Sequence, residues 1–291
     1  MSRRPPAGLG RSCPVPDGPD QPLDVTTVLD TGQLRVNDVT CRVAAGSGEV
    51  DAAGHLAVVL VRAGLFTRVV DGASHVLDAS QAYAINPGDE QRYDHTHSHG
   101  DVSTSIRIAP ELVAVVRRDQ ERLPAVPWST SPYADLEHRR LLAAARAGED
   151  ADLLHELTLG LLAAVLAQHD ARPPAPGRPG TVRARRALVA SVREAVAADP
   201  RLGLEDLAAE HAVSPFHLSR SFRAATGHTL SRHRTRLRVR AALERLGAGE
   251  QSLSRLAADT GFADQSHLNR AVRAETGHTP GDLRRALGRT S

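Results

Sequence analysis

The sequence predicts an α+β protein of two domains: a β-barrel or sandwich with following helices, then an all-α domain in which a long helix joins two helix-turn-helix motifs. Three observations carry this. Short β-like runs separated by turns fill the first part of the chain, a proline-rich stretch follows, and beyond it one block of sequence is written twice. At 291 residues the chain is long enough for two cores.

Residues 1–22 read as a disordered N-terminus, rich in proline and glycine, with basic residues but no apolar segment of the kind a secretory leader carries. Cys13 and Cys41 are the only cysteines, too few for a disulfide framework or a cysteine-rich zinc site. No stretch reads as a membrane span, so a cytoplasmic protein is expected.

Residues 24–108 contain "GQLRVNDVTCRV", "HLAVVLVRAG", "FTRVVDGASHVL", "QAYAINPGDEQRY" and "VSTSIRIA". Asp71–Gly72, set between β-branched residues, predicts a hairpin, because a type I′ turn needs positive φ at both central positions. Pro87–Gly88 marks a second turn. Residues 110–170 change to helical spacing in "ELVAVVRRDQERL" and "DADLLHELTLGLLAAVLAQHD". In the latter, Leu153, Leu154, Leu157, Leu161, Leu162 and Val165 form an apolar stripe. The stripe suits packing on the chain's own β domain and suits a homodimer equally.

Residues 171–181, centred on "ARPPAPGRPG", cannot be helix or central strand and predict a semi-extended linker. The charge balance changes sign there. Residues 1–181 hold 17 Arg and 23 Asp/Glu (17 − 23 = −6), and residues 182–291 hold 19 Arg and 11 Asp/Glu (19 − 11 = +8). There is no lysine, so every fixed positive side chain is a guanidinium. Domains at 23–170 and 182–291 follow, the second suited to a polyanion and expected to fold and bind DNA alone.

The repeat lies in the second domain. Leu204, Leu207, Ala208 and Ala209 match Leu253, Leu256, Ala257 and Ala258; "RAATGHT" (223–229) matches "RAETGHT" (273–279). Each copy reads as short helix, turn, longer helix. Ser214 with Pro215, and Asp264, are helix caps; Gly227 and Gly277 are helix stops. Between the copies, "SRHRTRLRVRAALERLGAG" reads as a helix long enough to set two recognition helices about one DNA turn (~34 Å) apart.

Residues 182–288 resemble the DNA-binding domain of AraC/XylS-family transcriptional regulators, on "SPFHLSRSFRAATGHT" and "LAADTGFADQSHLNRAVRAETGHTPGDLRR". Leu268 and Val272 stand where that family usually has phenylalanine, Leu283 where tyrosine is common, and Ala212 replaces the usual turn glycine. With Leu218 and Phe222 turned inward, Phe216, Ser219 and Arg220 project outward and match the family's groove-facing positions; with Leu268 and Val272 turned inward, Gln265, Ser266, Asn269 and Arg270 project outward on the second helix. Their chemistry suits base edges, arginine on guanine and Asn or Gln on adenine. Arg223, Arg273, Arg232 and Arg236 are expected at phosphates or in solvent.

"AYAINPGDEQRYDHTHSHGD" is similar to the cupin-like sensor domain that precedes this module in the family. The resemblance implies a regulator of promoter DNA, with RNA polymerase as a partner and a small-molecule effector or protein acting at the first domain. His95, His97 and His99 alternate as strand neighbours sharing a face do, making them candidate metal ligands with His55 or His75 as further donors. A solvated loop explains them as well, and neither a metal nor a cofactor is expected. The rival function is a metal-dependent cupin-type enzyme carrying an accessory DNA-binding domain. A DNA alkylation-repair protein is excluded by the cysteine count.

Overall fold

Why "HLAVVLVRAG" is apolar without alternation becomes clear in the computed structural model, which describes residues 23–42, 46–95, 100–116, 122–170, 177–200 and 202–287. In chain order the strands are β1 (Leu23–Asp30), β2 (Leu34–Cys41), β3 (Gly46–Ser47), β4 (Asp51–Ala52), β5 (Leu56–Ala63), β6 (Leu65–Val70), β7 (Ala73–Asp78), β8 (Gln81–Ile85), β9 (Glu90–His95), β10 (Asp101–Ile108) and β11 (Trp128–Ser129). They pair antiparallel in two sheets, β1-β2-β10-β5-β8-β11 and β3-β9-β6-β7, with β4 also on β9. Strand β5 is buried on both faces. Leu56, Val58 and Leu60 point to a core under helices, while Ala57, Val59 and Val61 point between the sheets onto Phe66, Leu77, Tyr83 and Ile85.

The two foreseen turns form. Asp71 and Gly72 both have positive φ (47° and 76°), and Val70 pairs with Ala73 across them. Gly88, at φ 84°, completes the Asn86–Asp89 turn, closed by Asp89 N–H donating to Asn86 O at 3.1 Å.

Helices α1 (Pro110–Val116), α2 (Pro132–Arg146) and α3 (Ala151–Asp170) follow. Of the α3 stripe, Leu154, Leu161, Leu162 and Val165 are buried with Leu34, Val36, Ile106 and Trp128, Leu157 packs partly buried against that core, and Leu153 is 37% exposed. By length and composition α3 could cross a membrane, contrary to the reading that no stretch could, yet this face lies in the core of the β domain. Helix α2 has no counterpart in the sequence reading. Its start is nonetheless well capped, with Ser131 Oγ accepting from Ala134 N–H and Pro132 in the first turn.

Among the described residues the C-terminal part holds seven helices: α4 (Pro179–Ala198), α5 (Leu204–Glu210), α6 (Pro215–Thr226), α7 (Leu230–Gly247), α8 (Leu253–Asp259), α9 (Gln265–Thr276) and α10 (Pro280–Leu287). Helix α4 begins inside the expected linker, because a proline at the first helical position starts a helix as readily as it ends one. Linker residues 171–176 and the N-terminal residues 1–22 lie outside the described residues.

The duplicated seven residues are a stop followed by a start. Thr226 Oγ1 donates to Phe222 O at 2.8 Å, Gly227 turns left-handed at φ 83°, and Thr229 Oγ accepts from Arg232 N–H to cap α7. In the second copy Thr276 Oγ1 donates to Val272 O at 2.8 Å, Gly277 has φ 78°, and Thr279 exchanges hydrogen bonds with Asp282 at the head of α10. Both α5–α6 and α8–α9 corners use the same backbone bonds. Val213 N–H reaches Ala208 O and Phe262 N–H reaches Ala257 O, each at 2.9 Å.

The corners differ at one residue. Gly261 has φ 76°, and its partner in the first unit is Ala212 at φ 52°, a left-handed position that costs a Cβ-bearing residue about 1–2 kcal/mol. Ala212→Gly is therefore expected to stabilise the protein by about 0.5–1 kcal/mol, after glycine's larger unfolded-state entropy is subtracted. Gly261→Ala should do the reverse. Urea unfolding of the two variants checks both signs.

Candidate nucleic-acid interface

Helix α6 is held by Leu218 and Phe222, fully buried against Val189, Val192, Leu207 and Leu230. That anchoring fixes which residues face out. Phe216 is 75% exposed, Arg220 is exposed and Ser219 is half-buried. Helix α9 is held the same way by Leu268 and Val272, packed with Leu256, Phe262 and Leu283. Gln265, Ser266 and Arg270 are exposed and Asn269 is half-buried. Ser254 Oγ donates to Gln265 Oε1 at 3.2 Å, steadying that amide from the preceding helix. The seven expected residues thus fall on two equivalent helix faces, three on α6 and four on α9.

The arginines divide into two populations. Arg220 and Arg223 on α6, and Arg270 and Arg273 on α9, are exposed and form no ion pair among the described residues. The arginines of α7 are mostly internal ties. Arg236 and Arg240 are buried, 4% and 2% exposed, and Arg234 donates to Leu202 O. Arg236 was expected at a phosphate or in solvent. It instead donates to Thr130 O and lies 3.8 Å from Glu275, and burial, with Arg240 adding to it, pushes its pKa down to about 10. Glu275 is the residue by which "RAETGHT" departs from "RAATGHT". Arg232 Nε, 3.4 Å away, and Arg236 hold it inward, which leaves the outer face of α9 without a carboxylate.

The same face of α7 seats the helix on the first domain. Arg240 Nη2 donates to Thr130 Oγ1 at 2.8 Å and to Thr130 O at 3.2 Å, and forms an ion pair with Asp135, Oδ2 at 2.5 Å. Glu244 forms ion pairs with Arg139, Nε at 3.2 Å, and with Arg62, Nη1 at 3.6 Å. Asp78 Oδ2, at the end of β7, faces His233 Nε2 at 3.2 Å and Arg193 Nε at 3.4 Å. Burial alone would raise the Asp78 carboxyl; Arg193, His233 and Ser80 outweigh it and hold the group far below the usual carboxylate range. Leu136 of α2, 6% exposed, packs into the core of the second helix-turn-helix unit beside Val239, Leu243 and Leu283. Sequence reasoning missed these residues. The four-residue steps of Arg236, Arg240 and Glu244 were the available signal, since they place three charges on one helix face.

Of the candidate metal ligands, His97 and His99 lie outside the described residues. His95 ends β9, with Nε2 at 2.9 Å from Asp101 Oδ1 and Cys41 alongside. Asp101 and then Cys41 hold its pKa up at about 10 against the burial that lowers it. His55 lies by Arg107 and Asp51, and His75 by Arg186 and Arg68, so neither joins His95.

The chain thus sets two antiparallel sheets with following helices ahead of tandem helix-turn-helix units. Residues 207–286 match the family described as helix-turn-helix domain (HTH_18), and this span is an AraC-type helix-turn-helix domain. No curated protein sequence matches the chain. Among solved structures, the chain is similar to the apo form of a ToxT variant from Vibrio cholerae strain SCE256 at 11% identity, covering 89% of this chain and 99% of that one, TM-score 0.39. Wild-type ToxT of the same strain with bound unsaturated fatty acid gives 11%, 90%, 98% and 0.37. An RmlC-like cupin from Shewanella frigidimarina is 21% identical over 30% of this chain and 76% of its own, TM-score 0.27.

Proposed function

We propose that the chain is a sequence-specific transcriptional regulator of the cytoplasm that inserts α6 and α9 into successive major-groove segments of a promoter. The first domain, residues 23–170, controls how residues 182–291 meet DNA, in response to a small-molecule effector or a protein such as RNA polymerase. The observation that carries this reading is the division of the arginines. Guanidiniums with no ion pair among the described residues stand on the outward faces of the two repeated helices, beside Gln265, Asn269, Ser219 and exposed Phe216, while Arg236 and Arg240 of α7 are buried. Arg220 and Arg270 pair with guanine edges, Gln265 and Asn269 with adenine, Ser219 and Ser266 with either, and Phe216 with a thymine methyl. The polar seam of α7 against Thr130, Asp135, Asp78 and Glu244 is the route by which the first domain acts on the second.

Binding to a randomised-site library at fixed salt tests the assignment. Asn269→Ala or Gln265→Ala is expected to cost about 1–3 kcal/mol on the preferred site and to relax one or two base positions. Arg273→Ala, one helical turn further on, should weaken all sequences alike and lower the salt slope by about one phosphate contact. Unchanged base preferences in both amide variants would remove α9 from the groove.

A further inference from the structure

We propose that Cys41, His95 and Asp101 form a binding site for a zinc-class divalent transition-metal ion at one end of the β-sandwich. The three donors converge from different strands. Cys41 ends β2 and Asp101 begins β10, and the two are register partners in one sheet, so their side chains share a face. His95 ends β9 in the other sheet. The thiol sulfur, one imidazole nitrogen and one carboxylate oxygen all lie within 4.8 Å of one another, and each residue is at most 9% exposed.

The backbone around them is built for close approach. Gly100 has φ 63°, and a Cβ there would lie 1.9 Å from Cys41 O; a Cβ on Gly64 would lie 2.4 Å from Gly100 O and 2.8 Å from the Asp101 Cα. Glycine at both positions lets β2, β5, β6 and β10 crowd the point where His95 arrives. Ser103 Oγ donates to Asp101 Oδ2 at 3.0 Å, which occupies one carboxylate oxygen and leaves Oδ1 directed at His95. The Phe66 ring, 5.8 Å from that of His95, fixes the imidazole plane. Such outer contacts orient the ligands of metal sites.

The donor set selects the ion. One thiolate, one imidazole and one carboxylate suit a zinc-class ion and not calcium or magnesium, which take oxygen ligands. A tetrahedral ion with bonds of about 2.0–2.3 Å needs donors about 3.3–3.7 Å apart. The present spacings, 2.9 Å for His95 to Asp101 and no more than 4.8 Å within the set, reach that by shifts of about 1 Å. Three protein ligands leave a fourth position for water or a small ligand, and the ion would tie β2 and β10 to β9 across the sandwich.

Titration of the purified full-length chain, stripped with chelator, with Co2+ and then Zn2+ tests the site. One Co2+ per chain is expected, with a thiolate-to-metal charge-transfer absorption that Zn2+ abolishes. Cys41→Ser should remove the absorption, and Asp101→Asn, nearly the same shape, should weaken binding at least about tenfold. Zn2+ should raise the wild-type unfolding temperature and leave that of Cys41→Ser unmoved. Cys13→Ser, and the paired change of His97 and His99 to alanine, should keep the absorption. No absorption in the wild type, its survival in Cys41→Ser, or equal affinity in Asp101→Asn would each overturn the assignment, as would loss of binding in the His97/His99 variant alone.

Discussion

Asp78→Ala is expected to destabilise the protein by about 3–5 kcal/mol, the range for removing one partner of a buried ion pair. Its carboxylate serves two elements. Oδ1 accepts from Ser80 N–H at 2.8 Å and from Ser80 Oγ at 2.5 Å, shaping the turn into β8, while Oδ2 faces Arg193 of α4 and His233 of α7. Without it the Arg193 guanidinium, 8% exposed, stays buried with no carboxylate opposite. Truncating both partners, Asp78→Ala with Arg193→Met, should recover much of the loss, because the desolvation cost then disappears with the charge. A double-mutant cycle by urea unfolding measures the coupling. The pH dependence has a definite sign. A carboxyl held below its ordinary 3.8 contributes stability that is complete above about pH 4 and drains away as pH falls further. His138, whose pKa burial and then Arg139 hold well below 6.5, adds an earlier loss that begins as pH drops through 6.5, since the unfolded imidazole takes a proton the folded one refuses. Wild type should lose stability in both stages, and the lower one should be smaller in Asp78→Asn, with Asp30, Asp94, Glu250 and Asp282 still contributing to it.

The sequence revealed what local chemistry dictates. The Asp71–Gly72 hairpin, the Ser214 and Asp264 caps and the glycine stops each need only a few neighbouring residues, and each forms where expected. The outward faces of α6 and α9 were legible because burial of Leu218, Phe222, Leu268 and Val272 fixes helix rotation. What stayed hidden depends on partners far along the chain. The alternating arginines of 232–240 looked alike, and only Asp135, Thr130 and Glu275 distinguish those that turn inward. His95 stood out for its neighbours in sequence, yet the groups beside it, Cys41 and Asp101, come from strands that meet only when the sheets pair.

Helix α2 was missed for the same reason, and it leads to a second large effect. Leu136→Ala is expected to cost about 2–4 kcal/mol, because Leu136 is buried in one cluster with Val239, Leu243, Leu246, Leu268, Val272 and Leu283 and its truncation leaves a cavity there. Those partners belong to the second helix-turn-helix unit, while the first unit has its own core of Val189, Val192, Leu207, Leu218 and Phe222. The loss should therefore be local. Amide exchange of α8, α9 and α10 should quicken in Leu136→Ala while α5 and α6 keep their protection. The fragment 182–291, expected from charge and linker alone to fold independently, lacks Leu136 altogether and should show the same pattern. Its first unit stays ordered, and its second is weakened where the residues at 268, 272 and 283 supply no aromatic ring to compensate. On DNA, both should lose affinity chiefly at the bases read by Gln265 and Asn269. Equal loss of protection in the two units would mean that Leu136 acts through the whole domain instead of through the floor beneath α9.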